Sequence, residues 1–214
     1  MPTRAPDRLR LAALSALLGA CPPAALLRTA EPTPAGQWRL GAGAAGGAIA
    51  DRETGGRSGT GQVEVNLRRG VSPNADVGAR LYTLGLGLDA TLRFVHRGAW
   101  SVALAPELSA LRTPSNSLTT DALHVFGRVA VPVTWRASSR WAFTAAPLLG
   151  AGAYLPGVEG WRGGLWLGFA VNAEARVGAR SWLVLELSGY QVSAGEVPMR
   201  GGAVYAATGM RWSL

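Results

Sequence analysis

The chain has 214 residues, of which 48% are hydrophobic and only 16% charged, against about 25% charged in an average globular domain. So sparse a set of charges argues against an ordinary soluble surface. All 21 basic residues are arginine, which excludes a Walker-type phosphate lysine, a Schiff-base lysine and a lysine general base. One cysteine and two histidines, His96 and His124, exclude an intramolecular disulfide and a His/Cys metal cluster, so neither metal nor cofactor is expected. The formal charge of +8 falls to +5 from residue 31 onward, where 17 arginines face 12 acids. Arginines dispersed in this way, with no basic aromatic module, give no reason to expect a nucleic-acid partner.

Residues 1–30 read as a targeting segment. Arg4, Arg8 and Arg10 precede an uncharged run over 11–27 that is rich in leucine and alanine and broken by Pro22 and Pro23. A membrane-spanning helix needs about 20 unbroken apolar residues; a basic stretch, a short apolar stretch and then small residues is the layout of a secretory signal. Within it, Leu18-Gly19-Ala20-Cys21 resembles the lipobox of bacterial lipoproteins. Two alternatives follow: cleavage before Cys21 with lipid added to its thiol, or an apolar stretch that merely contains a cysteine, cut later, for example after Ala30. The mature domain is then 31–214.

From Trp38 onward no run follows the helical period, whereas alternation with period two recurs throughout. It predicts an all-β chain of ten strands, at 37–50, 60–68, 76–83, 87–95, 100–111, 122–135, 141–154, 164–177, 182–192 and 203–214. One face of each is aliphatic, as with Val63, Val65 and Leu67; the other mixes charges with glycine and alanine, as with Asp89, Thr91 and Arg93.

The connections alternate in length. Short turns are expected at 69–75, 96–99, 136–140 and 178–181, and longer Gly/Pro/Ser-rich segments at 51–59, 112–121, 155–163 and 193–202, with a tight turn at Leu84-Gly85-Leu86 as the exception. Antiparallel strands in even number, with tight turns at one end and loops at the other, predict a closed up-and-down transmembrane β-barrel. Eight strands is the alternative if 76–83 and 87–95 are misread. Trp38, Trp100, Trp135, Trp141, Trp182 and Trp212 all fall at the tight-turn ends, where amphipathic rings form an interfacial belt at the headgroup level of the lipid. Trp161 and Trp166 would begin the belt at the other end.

In such a barrel the aliphatic positions face lipid and the strand charges face the lumen. The inward set is Arg39, Glu64, Arg68, Asp76, Arg80, Asp89, Arg93, Glu107, Arg128, Glu174, Arg176, Glu186 and Arg211, seven arginines against six acids. A nearly balanced set pairs internally, so a plugged interior is expected rather than a wide channel.

Gly209-Met210-Arg211-Trp212-Ser213-Leu214 resembles the carboxyl-terminal assembly signal of small bacterial outer-membrane β-barrels of the OmpA-like and porin-like kind, with leucine where phenylalanine is usual. The stretch 69–78, Arg-Gly-Val-Ser-Pro-Asn-Ala-Asp-Val-Gly, looks like the strand-turn-strand junction of such proteins. The resemblance spans about residues 37–214. It implies location in the outer membrane of a Gram-negative cell, contact with its lipids, and insertion by the barrel assembly machinery, with Gly209, Trp212 and Leu214 as recognition positions.

Motifs for catalysis are thin. Gly41-Ala42-Gly43-Ala44-Ala45-Gly46 matches G-x-G-x-x-G formally, but the dinucleotide fingerprint requires a helix to follow, and none is predicted. His124, beside Asp121 and expected to face inward opposite Glu107, with Ser109 and Ser117 near in sequence, could act as a general base in a lipid-modifying barrel enzyme. No His-x-Ser pair or paired-acid motif accompanies it. The expected role is therefore structural, adhesive or weakly pore-forming. A rim enzyme is one rival, and a soluble β-sandwich tethered through Cys21 is another.

Overall fold

A computed structural model describes residues 27–51, 57–113, 122–156, 162–195 and 201–214. The apolar leader up to residue 26, with Cys21, lies outside them, as do Ser117, Asp121 and Trp161. The described residues hold eleven strands and no helix: β1 (Trp38–Asp51), β2 (Arg57–Ser72), β3 (Ala75–Tyr82), β4 (Gly85–Arg97), β5 (Trp100–Thr113), β6 (Ala122–Ala130), β7 (Val133–Arg136), β8 (Trp141–Pro156), β9 (Arg162–Arg176), β10 (Ser181–Gly195) and β11 (Gly201–Ser213). Because β6 and β7 are two halves of one wall position, both lying between β5 and β8, the wall has ten positions. Each wall position pairs antiparallel with the next along the chain. β1 pairs with β11 from Arg39↔Ser213 to Asp51↔Gly201 and so closes the sheet on itself. A single closed sheet has no second layer to pack against, which corrects the β-sandwich rival; the eight-strand alternative is likewise not the fold.

Residues of alternating character form these strands because adjacent side chains of a strand point to opposite faces. The outcome inverts a soluble protein: Val63, Leu88 and Leu187 are each about 60% exposed, while Glu64, Asp89 and Arg128 are 3–7% exposed. Apolar side chains turned outward around a closed ladder are stable against hydrocarbon, where an unpaired edge amide costs several kcal/mol.

The strand at 122–135 is interrupted. Pro132 has no N–H to donate, so the ladder breaks at Val131-Pro132 and the gap is bridged by single bonds: Ala103 N–H to the Pro132 carbonyl (3.1 Å) and Val131 N–H to the Pro147 carbonyl (3.0 Å). Strands elsewhere run further than their hydrophobic pattern suggests. β2 continues through Arg69 and Gly70 to Ser72, leaving only Pro73-Asn74 as a turn, and β10 reaches Gly195. The remaining tight turns are at 83–84, 98–99, 137–140 and 177–180.

At the tight-turn end Trp100, Trp135, Phe143 and Trp141 form an exposed ladder of stacked rings with centroids 6.1, 5.9 and 6.4 Å apart. Arg69 lies over Trp38 and Arg176 over Trp182. Trp166 departs from the expected belt. It faces the lumen, 6% exposed, edge-on to Phe126 at 5.4 Å and in one cluster with Tyr190 and Tyr205. Gly150 opposite makes room, since a Cβ there would collide with the indole.

Leu187 lies midway along β10 with its side chain outside. Leu187→Arg should lower the unfolding free energy in lipid vesicles by about 2–4 kcal/mol, read from urea titration of tryptophan fluorescence, whereas Leu187→Val should change it little.

Candidate functional site

The lumen is the place where this chain concentrates its chemistry. Residues 27–36 form a strap that runs inside the wall and leaves it at the tight-turn end. There Gly36, at φ +78°, reverses the chain into β1. The exit is pinned by Gly36 N–H to the Gly70 carbonyl (2.9 Å) and Gly70 N–H to the Gln37 carbonyl (3.0 Å). A Cβ on Gly70 would strike the Pro34 carbonyl, so only glycine admits the strap so close to β2.

The strap is bonded along its length. Thr33 donates from both its N–H (2.7 Å) and its hydroxyl (2.8 Å) to Asp76. Glu31 forms an ion pair with Arg136, and Ala30 N–H donates to the Thr134 hydroxyl (2.8 Å). Asn172 Nδ2 donates to the Arg28 carbonyl (2.7 Å), and Leu27 N–H donates to Glu186 (2.5 Å). The Leu27 side chain packs with Val184 and Ala207.

Arg28 is the centre of the arrangement. Asp89 on β4 and Glu107 on β5 are direct cross-strand partners, and like charges so placed repel. The Arg28 guanidinium enters between them, forming ion pairs with Asp89 and, at 3.0 Å, with Glu107. Around it Arg80 reaches Asp89 (2.6 Å) and Glu64 (3.3 Å), Arg68 reaches Asp76 (2.5 Å) and Asp89, and Arg128 reaches Glu107 (2.9 Å). Glu107 also accepts from the hydroxyls of Tyr82 (2.6 Å) and Ser109 (2.8 Å). In this cluster four carboxylates, Glu64, Asp76, Asp89 and Glu107, face three wall guanidiniums, Arg68, Arg80 and Arg128; Arg28 makes the fourth. The side chains are all buried.

The other sequence-assigned lumen residues are distributed differently. Arg211 pairs with Glu174 near the tight-turn end, and Glu186 receives the strap. Arg39 lies beside Arg68 and Ser213 in register, its Nε without a hydrogen-bond partner among the described residues. Arg93 and Arg176 are outside the network. Arg93 clasps the 73–74 turn through the Pro73 carbonyl (2.8 Å) and Asn74 (2.9 Å), and Arg176 clasps its own turn through the carbonyls of Gly178 (3.1 Å) and Ala179 (2.6 Å). Arg93 is still in the inward register, opposite Ala103; the register shift between Arg93 and Val95 alters only the part of β4 beyond it.

His124 faces inward but is opposite Leu111, not Glu107, whose cross-strand partner is Arg128. Its ring stacks on Phe126 at 5.8 Å. Ser109 gives its proton to Glu107 rather than to an imidazole; the serine–imidazole hydrogen bond that the structure does show joins Ser101 to His96 Nδ1 (3.0 Å), at the tight-turn end of β4 and β5. At the seam, Trp212 is opposite Leu40, Gly209 opposite Gly43, and Leu214 N–H donates to the Trp38 carbonyl (2.9 Å).

The sequence reading missed Arg28 because it follows an apolar leader and was counted with it. No count along the sequence reveals it: the inward set on β2 to β6 reads as four carboxylates against four arginines, and a guanidinium is missing only once Arg93 is seen to clasp the 73–74 turn. Asp89→Ala, which strips three guanidiniums of a shared partner, should lower stability in detergent or vesicles by about 3–5 kcal/mol, measured by denaturant titration.

No protein-family model matches the chain, and no curated protein matches it. Solved structures do. The β domain of the Bordetella autotransporter BrkA is similar with a TM-score of 0.51 and 13% identity, over 83% of this chain and all of that one (100%). Neisserial surface protein A matches with a TM-score of 0.49 and 10% identity over 83% of this chain and 97% of its own. Ail, the attachment invasion locus protein of Yersinia pestis, matches with 0.46 and 10% identity over 84% and 99%. The fold of this chain is that of the small bacterial outer-membrane β-barrels.

Proposed function

We propose that the protein is an exported outer-membrane barrel whose lumen is closed, serving as a structural or adhesive platform that presents its longer connections at the rim opposite the tight turns. The observation that carries this reading is the pairing of an apolar outer wall with a buried, charge-balanced interior crossed by the strap. A channel needs water along its axis; here guanidiniums and carboxylates spend their hydrogen bonds on one another. Of the structural, adhesive and pore-forming roles, the geometry favours the first two. The stacked ladder of Trp100, Trp135, Phe143 and Trp141 suits contact with lipid headgroups at the tight-turn interface.

Insertion by the barrel assembly machinery belongs to the same proposal. The Leu214 side chain is 62% exposed while its N–H bonds to Trp38, so the side chain is available for recognition without serving closure.

Three measurements test this. Purified protein should migrate differently boiled and unboiled on detergent gels; a monomer that stays in plain buffer without surfactant would overturn the reading. Refolded protein in planar bilayers should pass no stable current, and discrete steady steps would restore the pore-forming role. Leu214→Asp should refold in detergent as the wild type does yet accumulate unassembled in cells; normal assembly would remove the recognition role.

A further inference from the structure

The strap begins inside what reads, from sequence, as the targeting segment, and four of its residues lie before the later of the two cleavage points. Leu27, Arg28, Thr29 and Ala30 are all buried in the lumen, at 6% exposure or less. Cutting after Ala30 would remove the guanidinium that holds both Asp89 and Glu107 closely, leaving Arg80, which reaches Glu107 only at 3.9 Å, as the group that spans the two; the Leu27 N–H bond to Glu186 and the Ala30 bond to Thr134 would go with it. It would leave the directly opposed pair of buried carboxylates with one guanidinium fewer, and the cluster with four carboxylates against three guanidiniums. Removing one partner from a buried, hydrogen-bonded charge set leaves the others desolvated and unpaired, which is far costlier than never having built the set.

We infer that processing spares Arg28: the mature chain keeps residues 28–36 as a built-in plug, and the export cleavage falls on the amino side of Arg28. The Ala20–Cys21 junction lies on the permitted side and Ala30 does not. The inference rests on the outer-membrane reading, because it supposes an exported chain. It adds the position of the cut and the identity of the group that seals the lumen. Three independent features of the wall suit a resident strap: the glycine at position 70 where the Pro34 carbonyl presses in, the four buried carboxylates set against three buried guanidiniums in the wall cluster, and the Thr134 and Asn172 side chains that bond to strap backbone.

The test uses the full chain expressed with its leader in a Gram-negative host and purified from outer membranes. Intact mass and amino-terminal sequencing should show a mature chain that contains Arg28. A heat-shifting barrel whose chain starts at Thr29 or later, Glu31 included, overturns the inference while leaving the barrel reading intact; loss of the heat shift strikes the barrel reading instead. A second measurement asks whether the strap is lodged. Ala30→Cys with Thr134→Cys should give a disulfide mapped between positions 30 and 134 in the unboiled barrel, and a folded barrel without that link overturns the plug. Arg28→Glu in this background places a third negative charge beside Asp89 and Glu107 and should lower the cross-link yield at least about tenfold. An unchanged yield counts against Arg28 as the anchor. Should Arg28→Glu fail to assemble, the wild-type terminus still decides.

Discussion

Every backbone N–H and C=O that faces hydrocarbon must find its partner within the protein, and this constraint governs the rest of the molecule. A sheet meets it only by closing, and closure here is made by the two ends of the chain, β1 against β11. Once the wall is closed, strand parity assigns every side chain to lipid or lumen. The lipid side takes valine, leucine and phenylalanine. The charged side chains of the cluster are confined to the interior, where a buried charge without a partner is expensive. The ion network is therefore a consequence of closure.

That interior suits arginine specifically. Arg68 donates through Nε and Nη2 to Asp76, through Nη1 to Asp89 and through Nη2 to Thr91. A planar fork can address several acceptors in fixed directions, whereas an ammonium is a point charge at the end of a flexible stem. A chain without lysine is well provided for such a lattice. Replacing a well-packed hydrophobic set with buried ion pairs seldom gains stability; what a network of this kind gains is one arrangement of strands and strap.

Much of the fold is legible from the residues because period-two alternation leaves few choices of face. The ten wall positions, the even count, the closing of the ends and the tight turn before Gly85 can all be read without coordinates. The departures share a cause: each depends on a residue whose partner is remote in sequence. Trp166 looks like belt material until Gly150 opposite is seen to leave a hollow for it. Arg93 keeps inward register opposite Ala103, yet at the end of the barrel its side chain reaches the 73–74 turn instead of the network. Pro132 sits in a run with good alternation, and only its missing N–H splits the strand. His124 keeps its inward parity, but register puts it four residues along the ladder from Glu107. Arg28 is the largest omission, because its meaning lies in Asp89 and Glu107, about 60 and 80 residues away.

The opposed pair on β4 and β5 makes strap and wall thermodynamically reciprocal. Whatever free energy the bound strap contributes to the closed barrel, the closed barrel contributes in equal measure to holding the strap, since the two describe one cycle. A wall assembled around an empty axis is the less stable species. Seating of the leader-proximal residues and sealing of the seam between the first and last strands therefore rise and fall together, so that a chain with its beginning out of position has its end insecure as well.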